Sequence, residues 1–152
     1  MNDLFGASSA LYGYLKGREK LVYPWSLSIV DCFFLIGAFK SAGPQNSVSV
    51  VRLSNLGRQV ERISIDNAYD LYDIDSDAAG VEVVLLDEAN DSICYWDAYE
   101  RFVVAAGSRA FMEIARPYPQ DIERHRYVEA MLHLENESNK SPEKIYEELL
   151  AY

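Results

Sequence analysis

Four arrangements in this chain have the residue types that chemistry needs, and each asks for a different use. Asp73-Ile-Asp75-Ser-Asp77 repeats the opening ligands of a calcium-binding loop, with carboxylates at alternate positions. Such a loop also needs a glycine at its sixth position to turn the chain and a bidentate glutamate at its twelfth. Here those positions hold Ala78 and Val84, so no metal ion or other cofactor is expected. His125, Glu129 and His133 share one face of a predicted helix, but they span two turns and form no HExxH pair for zinc. Ser108 follows Gly107 without the second glycine of a nucleophile elbow, and helix capping accounts for it. Cys32 and Cys94 have no histidine near them in sequence and lie in apolar stretches, as reduced, buried thiols do. No glycine-rich phosphate loop is present. The chain is therefore expected not to be an enzyme.

Binding is better represented than catalysis. The stretch IDNAYDLYDIDSD, Ile65 to Asp77, holds five aspartates and two tyrosines in thirteen residues, with no basic side chain. On a helix, Asp66, Tyr69, Asp70 and Asp73 share a side, with Tyr72 on the adjoining face. In an extended chain, Asp73, Asp75 and Asp77 align instead. Either way phenols and carboxylates are displayed together. Tyrosine offers large contact area at low entropic cost, and the aspartates supply charge-assisted bonds to arginine or lysine.

The charge is concentrated to match. Residues 61–100 contain twelve acids and one base, a net −11, whereas the rest of the chain contains twelve acids and thirteen bases and nets +1. Phosphate backbones need lysine and arginine, so direct binding of nucleic acid through this block is disfavoured and a basic protein surface is its complement. The predicted contacts are Asp66, Tyr69, Asp70, Tyr72, Asp73, Asp75 and Asp77, with Glu88, Asp91 and Asp97 as secondary ones.

In size, charge and Tyr/Asp texture, chiefly over residues 61–100, the chain resembles bacterial immunity proteins of contact-dependent inhibition and related polymorphic toxin systems. That resemblance implies a cytoplasmic, non-catalytic inhibitor of a basic toxin domain, such as a nuclease. Two alternatives stay open: a small hydrolase or transferase using carboxylates in a cleft, and a decoy that mimics nucleic-acid charge.

These residues need a frame. At 152 residues the chain suits a single domain. The opening MNDLFGASSALYGYLK lacks a basic region followed by a clean apolar run, so no secretory leader is expected. A short helix is expected after Ser8 or Ser9. Leu21 to Phe39 carries one charge, Asp31, and Pro24 interrupts it, which predicts a buried core helix rather than a membrane span. Ser26 can cap that helix, with Gly43 and Pro44 stopping it beyond Ala42; Leu27, Val30, Phe34 and Ala38 form one apolar stripe. Period-two alternation then predicts a hairpin from SVSVVRLS and RQVERISI about the turn NLG, followed by strands VEVVLLDE, SICYWD and ERFVVAAG. Helices are predicted after Ser108, over Gln120–Leu134, and from Pro142 behind a Ser141 cap. Ile145, Leu149 and Tyr152 form a last stripe that either the core or a second subunit must cover, so a homodimer stays open. The expected architecture is α+β: one domain with an antiparallel meander of four to five strands and helices before and after it.

Overall fold

The computed structural model describes residues 13–43, 48–54, 57–78, 80–99, 101–116, 118–136 and 138–152. The helix expected after Ser8 or Ser9, the stop at Pro44 and the first two residues of the NLG turn lie outside them. The described chain begins in a helical turn at 13–15 and continues through β1 (Leu21–Pro24), α1 (Ile29–Ala42), β2 (Val48–Ser54), β3 (Gly57–Ile63), α2 (Ala68–Asp77), β4 (Glu82–Asp87), β5 (Ser92–Asp97), β6 (Phe102–Ala106), α3 (Arg109–Ala115), α4 (Gln120–Met131) and α5 (Pro142–Ala151). The α+β class is as expected, but the sheet has six strands rather than four to five, in the order β1-β6-β5-β4-β2-β3.

The additional strand comes from the start of the apolar run. Leu21, Val22 and Tyr23 pair antiparallel with Ala105, Val104 and Val103 of β6. Pro24, which cannot donate to a ladder, ends the strand at the sheet edge. The helix therefore starts two residues later than Ser26 would set it. Ser28 is its cap: Ser28 Oγ accepts from the Asp31 amide, and the Asp31 carboxylate accepts from the Ser28 amide. The strands are also not a simple meander, because β4 pairs with β2 rather than β3, and α2 occupies the connection.

Helices cover both faces of the sheet. Val48, Val50, Val83, Leu85, Cys94, Trp96, Val103 and Ala105 point to one face, where they pack with α1, α2 and α3. Val51, Val84, Ile93, Tyr95, Phe102, Val104 and Ala106 point to the other, toward α4, α5 and Leu15. Central strands enclosed on both faces lose polar alternation, which is why VVLL and FVVAA read as continuous apolar runs. On the second face Ile145, Tyr146 and Leu149 of α5 are buried, and the Tyr146 ring lies 5.8 Å from that of Tyr127. The C-terminal stripe thus serves the chain's own core. On α4, Tyr127 and Met131 pack into this core, whereas Ile122 and, beyond the helix end, Leu134 are exposed. No described helix is long and apolar enough to cross a membrane.

Candidate interaction surface

The acidic stretch is a helix, and its cap fixes its frame. Asn67 is the N-cap: its side-chain oxygen accepts from the Tyr69 amide at 2.9 Å. Asp70 reaches back to accept from the amides of Asn67 at 2.9 Å and Asp66 at 2.6 Å. This is a capping box with an acid in the first turn, where the helix dipole favours negative charge. Asp70 is half-buried and its carboxylate is committed to this cap.

From that start the 3.6-residue period sorts the remaining side chains. Ala68, Leu71, Ile74 and Asp75 turn into the core. Asp66, Tyr69, Tyr72, Asp73, Ser76 and Asp77 face outward, with the two tyrosines 64% and 42% exposed. No residue of α2 is basic. The extended alignment of Asp73, Asp75 and Asp77 is thereby overturned, because alternate residues on a helix lie on different sides.

Asp75 is not a surface group. It is 6% exposed, and its Oδ1 accepts from the Leu27 amide at 2.9 Å and from the Trp96 indole at 2.8 Å. Burial pushes its carboxyl above the usual range, against the opposing pull of these donors and of Ser26. It fastens α2 to the segment that enters α1 and to the middle of the sheet.

Asp97 is also internal, on the opposite face of the sheet. The Tyr95 hydroxyl lies 2.8 Å from Glu82 Oε1 and 2.9 Å from Asp97 Oδ2, and Asp97 also accepts from the Tyr99 amide. A phenol has one proton, so it serves one carboxylate as donor. The second contact is satisfied when the other carboxyl keeps its own proton. Burial pushes the Glu82 carboxyl upward, against the opposing pull of the Tyr95 hydroxyl.

The two turn acids differ from each other. Glu88 is exposed in the β4–β5 connection. Asp91 is exposed but engaged: it accepts from Arg18 Nη2 at 2.8 Å and from the Tyr14 hydroxyl at 2.6 Å. The Arg18 bond, seconded by Tyr14, holds its carboxyl below the usual range. The expectation of one outward electronegative block over residues 61–100 is therefore corrected. Asp75, Glu82, Asp87 and Asp97 are buried, and Asp91 and Glu61 are paired with Arg18 and Arg52. Among the described residues of the block, the outward charge lies on α2 at Asp73 and Asp77, with Asp66 just before the helix and Glu88 in the β4–β5 connection.

The neighbouring helix contributes what sequence reading missed. Val30 and Phe33 of α1, assigned to the interior, are 46% and 57% exposed. The expected stripe of Leu27, Val30, Phe34 and Ala38 is split, since only Leu27 and Ala38 are buried. The chain did carry a signal: α1 is apolar on nearly every side, which is more than packing on a single sheet requires.

Among the described residues the other candidate chemistries have no assembled site. A cleft of about 570 Å³ opens beside α3, lined by Glu19, Gly107, Arg109, Met112, Glu113 and Arg116, and contains none of the predicted site residues. Its arginines are engaged, Arg109 with Glu113 at 2.8 Å and Arg116 with Glu19 and the Lys20 carbonyl. His125 and Glu129 are exposed on α4, and His133 lies past its end. Cys32 and Cys94 are buried free thiols; burial raises Cys32 to about 12 and Cys94 also upward, so neither is a ready nucleophile. Among the described residues no group of three or more His, Cys, Asp and Glu side chains is placed to hold a metal ion. Comparison of the chain with protein-family models, curated proteins and solved structures finds no match.

Proposed function

We propose that this protein is a non-catalytic inhibitor that binds a basic toxin domain, such as a nuclease, through the outer face of α2 and acts as an immunity protein in the cytoplasm. The observation that carries the reading is the outward set on and just before that helix: Tyr69, Tyr72, Asp73 and Asp77, with Asp66 ahead of the cap and no basic residue in the helix. The capping box and the Asp75 anchor hold these side chains on a rigid element, which lowers the entropic cost of binding. Opposite charge accelerates encounter with a cationic domain and makes it salt-dependent. Tyrosines supply the desolvated contact area.

The test is rescue of growth on co-expression with a basic nuclease toxin encoded beside this chain. Wild type should protect, and the double variant Asp73→Lys/Asp77→Lys should lose protection with no fall in its thermal midpoint. Equal protection by the double variant would remove α2 from the interface, and no protection by wild type would remove the immunity role.

A further inference from the structure

On α1 and α3, the helices that share a sheet face with α2, a set of large apolar side chains is exposed among the described residues. α1 crosses the same side of the sheet between α2 and α3. Lys40, near its C-terminal end, donates to the Asp66 carbonyl, and the Leu27 amide, just before its start, donates to Asp75. These two ties make α1 and α2 antiparallel and place Phe33 level with the middle of α2. On the other flank, Ile114 of α3 seats over Gly37, where an added Cβ would stand 3.4 Å from Ile114 Cγ2. Val30, Phe33 and Gly37 follow one another at helical spacings of three and four residues, so they lie along one outward line. Val30, Phe33 and Ile114 are 46%, 57% and 44% exposed, and Tyr69 and Tyr72 of the neighbouring α2 are 64% and 42% exposed.

Isolated exposed apolar residues need no explanation, but a contiguous set flanked by like charges does. The surrounding charge also selects an occupant. The flank formed by α2 exposes Asp73 and Asp77 without a basic residue in that helix. On α3, Arg109 is neutralised by Glu113, and Lys40 is engaged with the α2 N-terminal turn. A second copy of this chain would bring the same aspartates and no net cationic surface from these three helices. A membrane of anionic lipid is opposed by the same charges.

We infer that the ridge of Val30, Phe33 and Ile114 is the desolvated centre of a docking surface, with the α2 aspartates as its rim. Its occupant is a cationic protein segment that inserts an apolar side chain between flanking lysines or arginines. This rests on the reading of α2 as a partner-binding face and adds the chemistry of the partner: charge alone does not satisfy the surface, because its middle is apolar. The arrangement is that of an apolar core within a polar rim.

The test uses three helical peptides of about 16 residues, each about 24 Å long. The first has a leucine stripe flanked by lysines, the second replaces the leucines by serine, and the third replaces the lysines by glutamate. Binding is followed by NMR shifts and titration. The first peptide should bind and shift Val30, Phe33 and Ile114; the second should bind at least about tenfold more weakly, and the third not at all. Phe33→Ser should weaken the first peptide about tenfold, with Val30→Ser as the replacement if the first variant does not fold.

Equal binding of the leucine and serine peptides, or no effect of Phe33→Ser or its replacement, would overturn the apolar centre while leaving α2 as an electrostatic surface. Undiminished binding by Asp73→Lys/Asp77→Lys would overturn the choice of a cationic occupant. Concentration-dependent self-association abolished by Phe33→Ser would assign the ridge to a second copy and overturn it equally. Failure of toxin rescue alone would count against the immunity role and leave these peptide results standing.

Discussion

Replacing Asp75 separates a group that holds the fold from one that meets a partner. Its Oδ1 takes both the Leu27 amide at 2.9 Å and the Trp96 indole at 2.8 Å, and those residues are 2% and 0% exposed. Asp75→Ala leaves two buried donors without an acceptor, at about 1–3 kcal/mol each. Relief of the buried carboxylate offsets part of this, so a net loss of about 2–4 kcal/mol is expected. For a chain of this size that lowers the thermal midpoint by roughly 5–15 °C. Asp75→Asn keeps the accepting oxygen and should remain within about 1 kcal/mol of wild type at neutral pH. The two variants also differ from wild type in pH dependence. The native carboxyl is raised above its ordinary 3.8, so between that value and its raised native value the folded state binds more protons than the unfolded state. Stability conferred by the protonated acid is full below this window and is lost as pH rises through it. Asp75→Asn should flatten that decline. Urea unfolding across about pH 4–8 measures both effects. An Asp75→Ala loss under about 1 kcal/mol, or an Asn variant as unstable as the Ala variant, would refute the anchoring role. Loss of partner binding by a fully stable Asp75→Asn would return the residue to the interface.

Two further perturbations test the division of the acids. Glu82→Gln should preserve the contact with Tyr95, stay within about 1 kcal/mol of wild type near neutrality, and reduce the fall in stability with rising pH, because the Glu82 carboxyl is also raised by burial. A steeper fall in urea titrations would show that Glu82 is ionised in the folded state. Asp77→Lys should raise the thermal midpoint by about 1–3 °C, since it removes a like-charged neighbour of Asp73 one turn away and places a cation at the negative end of the α2 dipole. The same change should slow association with a cationic partner, read by stopped-flow mixing at low and high salt. A lower midpoint would mean that the carboxylate has a structural partner.

What could be read from the chain depended on whether a local signal had a competitor. Ser108 and Ser141 each stand alone before a helix, and both cap where expected. Ser26 and Ser28 compete within one apolar run, and the choice turns on Asp31, which is three residues after Ser28 and completes its capping box. Missing that box hid the boundary and with it β1, since Leu21–Tyr23 is too short to show a period of its own. The site was half-legible for a similar reason. Ala68, Leu71, Ile74 and Ala78 repeat at three and four residues, which identifies a helix and turns Asp75 inward with them. Asp97 offered no such signal: β5 is buried at all six positions, so alternation could not mark its last residue as internal.

Net charge is consequently a poor measure of this protein's electrostatic surface. The acids at 70, 75, 82, 87, 91 and 97 are each engaged within the chain, in turn as a helix cap, an anchor, a phenol contact, a turn bond, an ion pair and a second phenol contact. Each of those positions is explained by the fold itself. Asp73 and Asp77 are not. They stand one turn apart at the C-terminal end of α2, where both mutual repulsion and the helix dipole disfavour them and no basic side chain occupies the last turn. A fold under selection for stability alone would lose them readily. Their placement on one helix with the exposed Tyr69 and Tyr72 makes this corner, rather than the larger acidic block, the region on which the proposed docking surface rests.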